Sequence, residues 1–196
     1  SMYYFMDAMN NEDDIMGAQS FTAFAYRFDV LQQLGLTPAT TLDEFTQLCA
    51  DLKAKIDDGT VDAESVIMNS TKDYAFYRGF VGIFHTWDTL YWNGTEWAFG
   101  PIEDNFREML KYMKSLYDAG YIDAEFATAD TNMANEKAST GKTLICPTLW
   151  AGSASGWNTA AAEDSGIEWG LAYLPKNETY GTAWKWGSKL PGKSLN

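Results

Sequence analysis

The sequence predicts an α/β fold that is rich in helix and has a small mixed sheet. Two observations lead to this fold class. Three long segments place apolar residues three and four positions apart, as amphipathic helices do, and short apolar runs bounded by turn residues lie between them. The 196 residues are 46% hydrophobic and 21% charged, which is ordinary for a globular protein and excludes disordered, collagen-like and coiled-coil chains. The length suits one domain or one large lobe.

The three helical segments span residues 21–34, 42–57 and 103–119. Gly35 follows the first segment and Gly120 follows the third, and glycine just after the last turn is a common helix end. Each segment has one apolar stripe that a core would bury. The stripe residues are Phe21, Phe24, Ala25, Phe28, Leu31 and Leu34, then Leu42, Phe45, Leu48, Cys49, Leu52 and Ile56, and finally Phe106, Met109, Leu110, Met113, Leu116 and Tyr117.

The second and third helices also have recognisable first turns. Pro38 precedes the second, and Thr41 with Glu44 three residues later forms a capping-box pattern, in which each side chain accepts a hydrogen bond from a free backbone N–H. Glu103 and Asp104 place negative charge at the positive end of the third helix dipole. These residues fix where both helices begin.

The segments between the helices are shorter. Residues 74–84 are apolar nearly all round, which predicts a buried helix. The Asn-Gly pair within residues 92–95 predicts a tight β-hairpin. Residues 142–147 and 169–174 are typical of short buried strands, and Pro175 ends the second. We find no internal repeat and no interdomain linker.

Two motifs resemble catalytic signatures but lack essential parts. Residues 139–143 resemble the end of a phosphate-binding loop, yet Glu136 stands where the first glycine is required, and the preceding residues are predicted to be helical. Residues 152–156 resemble a nucleophile elbow with Ala154 in the nucleophile's place, and His85, the only histidine, precedes it. Covalent hydrolysis is therefore excluded, and we expect neither a cofactor nor a metal.

Charge and cysteine content narrow the function further. The chain has 14 Lys plus Arg against 27 Asp plus Glu, a net charge of −13. This charge repels phosphate backbones and anionic lipid, so we expect binding to neither nucleic acid nor membranes. The acidic residues 10–14 lack the spacing of a calcium loop, and the sequence leaves calcium there open. Cys49 and Cys146 are expected to be buried free thiols.

Aromatic residues are the most informative feature of the composition. The 8 Trp, 11 Tyr and 11 Phe make 15% of the chain, more than a core of this size requires. A sugar ring offers an apolar C–H face and a rim of hydroxyls, which flat aromatic and planar polar side chains match. The tryptophans therefore favour a carbohydrate ligand, with core packing as the competing role of each one.

Several segments, read in order, resemble the bacterial extracellular solute-binding proteins of ABC sugar importers, the maltose- and oligosaccharide-binding type. Residues 25–36 resemble the family's tyrosine-and-aspartate helix with its Leu-Gly-Leu stop, and residues 38–45 its entry to the next helix. Residues 92–97 and 116–123 resemble its hairpin and the segment that ends Gly-Tyr-Ile-Asp. The remaining similar segments are residues 141–145, Trp150 and residues 169–175.

The resemblance implies a lobe of the type II periplasmic-binding-protein fold. Family members have two lobes with the solute bound between them, so residues 1–196 are expected to form the second lobe, with residues 1–20 and 176–196 near the hinge. It also implies a monomeric, lipid-anchored protein outside the cell that passes a carbohydrate to ABC permease subunits and is not an enzyme. A carbohydrate-active enzyme or its sugar-binding module, and an interaction domain without a small ligand, remain alternatives.

The resemblance also implies the first ligand contacts. Trp150 lies where the family has its stacking tryptophan, after a predicted strand and before a Gly/Ser segment that can open a helix. The free N–H groups of such a helix start can donate to sugar hydroxyls. Gln19 and Ser20 lie where the chain would enter the lobe from the hinge, and we expect them to hydrogen-bond the ligand.

Five further residues complete the candidate ligand contacts. Tyr74, Tyr77 and Arg78 begin the aromatic helix that, by resemblance, presents its first turn to the cleft. Trp87 precedes the hairpin, and Trp157 follows the Gly/Ser segment. Burial in the core is the competing role of all five, and their solvent accessibility distinguishes the two roles.

Overall fold

The computed structural model describes residues 23–68, 79–93, 95–148 and 151–183. It has the predicted α/β fold, with a four-stranded mixed sheet, helices packed on it, and a two-stranded hairpin. In chain order the elements are β1 (Ala23–Arg27), α1 (Phe28–Leu34), α2 (Leu42–Asp57), β2 (Ser65–Ile67), β3 (Leu90–Trp92), β4 (Trp97–Phe99), a 3-10 turn (Gly100–Ile102), α3 (Asp104–Asp118), α4 (Thr131–Ser139), β5 (Thr143–Thr148), α5 (Ala151–Ala160) and β6 (Trp169–Ala172). Residues 79–81 are also helical.

The strands of the sheet lie in the order β2-β5-β1-β6. β5 runs parallel to β2, and β1 runs antiparallel to both β5 and β6. Three strands therefore point one way and β1 the other. As a result β2, β5 and β6 all end at the edge of the sheet where β1 begins.

The prediction that a helix begins at residue 21 is wrong for the part the structure describes. Ala23–Arg27 is a strand at the centre of the sheet, and α1 begins only at Phe28. All five strand residues are buried, because β1 has a strand on each side and a core cluster on each face. Phe24 and Tyr26 belong to one cluster and Ala25 to the other. A strand buried on both faces shows no apolar–polar alternation.

The predicted helices at residues 42–57 and 103–119 are confirmed. Of the helix predicted at residues 74–84, residues 79–81 are helical and residues 82–84 form a turn, while residues 74–78 lie outside the described residues. Thr41 and Glu44 form the complete capping box at the start of α2, and Gly35 ends α1 in the left-handed conformation with a φ of 68°. In α3 the buried stripe is narrower than predicted, since Leu110 and Tyr117 are about half exposed. Only the face of α3 that contains Met109 and Leu116 is turned to the core.

The predicted strands and the hairpin are also present, with small changes in their bounds. β5 spans Thr143–Thr148, and β6 ends at Ala172, two residues earlier than predicted. β3 and β4 pair as an antiparallel hairpin. Gly100 follows β4 where an added Cβ would collide with the main-chain carbonyl of Trp87, so only glycine fits this close approach.

Two clusters of buried side chains hold the helices to the sheet. The larger joins β1 to α2, to residues 80–84 and to α3, with the rings of Phe24, Phe45 and Phe80 in contact. The smaller joins the opposite face of the sheet to α4 and α5 through small alanines and the rings of Trp157 and Trp169. The sheet is thus covered on both faces.

Candidate ligand-binding edge of the sheet

The carboxyl ends of β2, β5 and β6 lie at one edge of the four-stranded sheet, beside the start of β1. Ala23 pairs with Thr148, so β1 begins beside the end of β5. Phe24 pairs with Ala172, which brings the end of β6 to the same place, and Met68, just after β2, donates its N–H to the carbonyl of Ile145 at 3.0 Å. We call this the carboxyl edge. Open α/β sheets bind ligands at the carboxyl ends of their strands.

The helical residues 79–81 are also anchored at the carboxyl edge, through Gly79. A Cβ added to Gly79 would lie 2.8 Å from Cε1 of Phe24 and 3.0 Å from Cβ of Pro147. Phe24 lies near the start of β1, and its cross-strand partner Pro147 lies near the end of β5. Glycine allows this main chain to lie directly on the two side chains. The edge therefore joins five chain segments, namely the start of β1, the ends of β2, β5 and β6, and Gly79.

Most of the predicted ligand contacts lie outside the described residues. These are Gln19, Ser20, Tyr74, Tyr77, Arg78 and Trp150. All six are close in the sequence to residues at the carboxyl edge. Residues 19–20 precede Ala23, residues 74–78 precede Gly79, and residue 150 follows Thr148. Their role as ligand contacts stays a prediction, and the described residues show that their attachment points lie together.

Tyr173 lies at the carboxyl edge and is missing from the predicted ligand contacts. It directly follows β6, and about half of its side-chain surface is exposed. The sequence predicts a buried strand through residue 174, so it gives no sign that Tyr173 is exposed. Only the register of β6 on β1 shows that Tyr173 leaves the sheet at the edge where β5 ends.

Trp157 is packed into the second core cluster. It is 3% exposed, its ring lies 5.0 Å from that of Trp169, and its Nε1–H donates to Oδ1 of Asn135 at 2.8 Å. Trp169 in turn donates its Nε1–H to the carbonyl of Ala138 at 2.9 Å. These contacts fix α5 against α4. A ligand contact by Trp157 stays a prediction.

A groove of about 530 Å³ lies between α4 and α5, and Trp157 forms part of its lining. Small side chains on α5 form one wall, and polar side chains on α4 form the other. The lining residues are Asn135, Glu136, Ser139, Gly152, Ser153, Gly156, Trp157 and Ala160. The Gly/Ser segment predicted to open a helix is thus inside α5. Ala154 therefore lies within a helix, not at the strand-to-helix turn where a nucleophile elbow places its nucleophile.

Trp87, the other described candidate, is partly buried against the larger core cluster. Its main chain lies at the base of the β3–β4 hairpin, against Gly100. Trp87 thus contacts the hairpin base and the core, and a ligand contact by it stays a prediction.

The described ionisable groups show no arrangement for nucleophilic or metal chemistry. Burial raises the pKa of both the Cys49 and the Cys146 thiols, so these free cysteines stay protonated at neutral pH. Within the ranges that the structure describes, no three His, Cys, Asp or Glu side chains lie close enough to hold a metal ion. Every helix in the same ranges is too short or too polar to span a bilayer.

Comparison with known proteins gives one family. The model of a family described as bacterial extracellular solute-binding protein matches residues 4–191, nearly the whole chain. No curated protein matches the sequence.

Proposed function

The chain belongs to the bacterial extracellular solute-binding proteins, and on that premise we propose that it is the substrate-binding component of an ABC importer for a carbohydrate. The family is extracellular or periplasmic, its members bind small solutes for transporters, and it is typically not enzymatic. The proposal adds the chemical class of the solute, the site that binds it and the place of this chain within the receptor.

The convergence of five chain segments at the carboxyl edge is the observation that supports the site. Loops held by a rigid scaffold are where proteins place binding residues. At this edge the scaffold is rigid, because Phe24 and Gly79 are packed in the core and the strands are paired. The predicted contacts Trp150, Gln19 and Ser20 belong to the segments that continue from it.

The proposed solute is a carbohydrate because of the side chains near that edge. Trp150, Tyr74 and Tyr77 adjoin the edge in sequence, and Tyr173 is exposed on it. Aromatic faces stack on the C–H faces of sugar rings, and phenol, amide and guanidinium groups bond the hydroxyls. The net charge of −13 disfavours an anionic solute.

We also propose that residues 1–196 are one lobe of a two-lobe receptor. The described strands form a single main sheet with its binding edge at one side, as half of a cleft requires. Residues 1–20 and 176–196 would then lie near the hinge, and the full receptor would be a lipid-anchored monomer that delivers its ligand to the permease subunits.

Replacing Trp150 with alanine in the full-length receptor is expected to weaken carbohydrate binding about tenfold or more. A stacked indole removes a large apolar area of the ligand from water, and a tenfold change corresponds to about 1.4 kcal/mol. Titration calorimetry against a panel of neutral oligosaccharides measures the change. Trp97→Ala is the matched control, since this exposed tryptophan is on the hairpin.

An affinity of the Trp150→Ala variant within twofold of the wild type would show that Trp150 is not a ligand contact. Release of reducing sugar during the titration would instead indicate a carbohydrate-active enzyme, since a receptor returns its ligand unchanged.

A further inference from the structure

The β3–β4 hairpin has two faces of opposite character. Tyr91 pairs with Ala98 on the inner face, where it is buried and its hydroxyl donates to Oε2 of Glu103 at 2.6 Å. Leu90 and Phe99 are the neighbouring cross-strand pair, so their side chains point to the opposite side of the hairpin. The hairpin is therefore attached to the body of the protein by one face and presents the other to solvent.

The outer side is apolar and exposed. Leu90, Trp97 and Phe99 on the strands and Ile102 in the 3-10 turn after β4, which we call the hairpin patch, are between 44% and 74% exposed. They are four of the eight large hydrophobic side chains that are exposed in the described part of the chain. All four come from residues 90–102, and such clustering of exposed apolar residues marks an interaction site rather than scattered surface residues.

The shape and composition of the hairpin patch favour a protein as its partner. Two short paired strands present a flat surface, whereas small molecules bind in concave sites. Leu90 and Ile102 are aliphatic and offer no ring for stacking on a sugar, while mixed aromatic and aliphatic side chains are typical of protein interface cores. A free sugar or a polysaccharide is therefore the less suitable occupant.

The charge around the patch selects among protein partners. Residues 88–104 contain four carboxylates and neither Lys nor Arg. Glu103 accepts from Tyr91 on the inner face, and Asp104 pairs with Arg107, so the exposed carboxylate on the hairpin itself is Glu96. A second copy of the chain would bring the same carboxylates and its own net charge of −13, so self-association is repulsive. The complementary surface has an apolar centre with Lys or Arg around it.

We propose that the hairpin patch is the surface by which this lobe docks onto the membrane subunit of its transporter. The inference rests on the proposed function, because an importer's receptor must contact that subunit to release its solute. Four side chains bury less area than a stable complex requires, which fits a contact that forms and separates in each transport cycle.

Site-specific photocrosslinking in the source bacterium tests this inference. The full-length receptor is produced with benzoylphenylalanine in place of Trp97, and separately in place of Tyr117, which is equally exposed but lies near the far end of α3. On irradiation we expect an adduct from position 97 that contains peptides of the transporter's membrane subunit, and at least tenfold less from position 117. Glu96→Lys or Leu90→Asp in the same chain should reduce the adduct about tenfold, since central and complementary contacts dominate such interfaces.

Three results would overturn the inference: no adduct from position 97, an adduct with a second copy or with glycan only, or equal adducts from positions 97 and 117. Calorimetry on the same receptor separates this failure from that of the proposed function. If a carbohydrate binds and the adduct is missing, only the docking surface is wrong, whereas absence of any solute binding contradicts the proposed function itself.

Discussion

Replacing Phe24 with alanine is expected to lower the free energy of unfolding by about 4 kcal/mol, the usual cost of removing a fully buried aromatic ring. Phe24 is completely buried in β1. Its ring centroid lies 5.0 Å from that of Phe45 on α2 and 5.4 Å from that of Phe80. The substitution would leave a cavity between three elements that rigid main chain cannot fill.

The loss of Phe24 also concerns the binding site, because Gly79 rests on its ring at the carboxyl edge. Urea denaturation of the two proteins measures the effect, with Phe99→Ala as the control. Phe99 is a half-exposed phenylalanine on the hairpin, and its replacement should cost less than about 1 kcal/mol. Equal costs for both variants would contradict the placement of β1 at the centre of the sheet.

Replacing Lys137 with methionine is expected to destabilise the fold by about 3 kcal/mol at neutral pH. Lys137 on α4 places its Nζ 2.9 Å from Oδ2 of Asp123 and 2.8 Å from Oε2 of Glu125. The Asp123 side chain is only 4% exposed, and methionine would leave this carboxylate buried without its cation. Breaking a buried pair on one side costs more than the pair itself contributes.

The pH dependence distinguishes this ion pair from simple packing. Burial alone would raise the pKa of Asp123, but the hydrogen bond from Lys137 and that from the Glu125 N–H outweigh it, so the pKa is below its ordinary value. A carboxyl whose pKa is lowered on folding stabilises the fold above its unfolded pKa, about 4, and loses this contribution as the pH falls through the lowered value. The difference between wild type and variant should therefore shrink below about pH 4.

Lys142→Met is the matched control for Lys137→Met. Lys142 contacts Asp62 at 2.9 Å, but Asp62 is 93% exposed, and such surface pairs contribute less than about 1 kcal/mol. Thermal or urea unfolding of both variants across pH makes the comparison. A cost for Lys137→Met that is no larger than that of the control would show that the buried pair does not hold α4 in place.

The helices and the hairpin could be predicted because their signals are local. Thr41 and Glu44 identify the start of α2 within four residues, and the Asn-Gly pair at residues 93–94 identifies the hairpin. Caps and tight turns act through hydrogen bonds between neighbours in the chain, so a single sequence contains all of their information.

β1 and β2 could not be predicted because they form through pairing with strands that are distant in the sequence. Phe24, Phe28 and Leu31 follow helical spacing, yet only Phe28 and Leu31 belong to a helix. Phe24 is in a strand because β5 and β6 pair with the chain on both sides. β2 has three residues, Ser65–Ile67, too few to show a period, and it exists through its pairing with β5.

The sequence predicted the segments of the candidate site but not that they lie together in space. The sequence indicated Gln19, Trp150 and the aromatic helix, but nothing in it showed that β1 begins where β5 ends or that Gly79 lies on Phe24. For the same reason Tyr173 was missed, since its position depends on the register of β6.

The central claim is that the carboxyl edge of this lobe binds a neutral carbohydrate, and amide NMR titration of the 196-residue chain tests it most directly. One lobe supplies about half the contacts of a two-lobe cleft while the entropy lost on binding is nearly unchanged, so we expect a Kd in the millimolar range. A matching oligosaccharide should shift the amides of Ala23, Phe24, Ala172 and Tyr173, while those of Asp57 at the end of α2 and Phe99 on the hairpin stay in place. Shifts confined to the α4–α5 groove or the hairpin would contradict the claim, as would sub-micromolar binding by this chain alone.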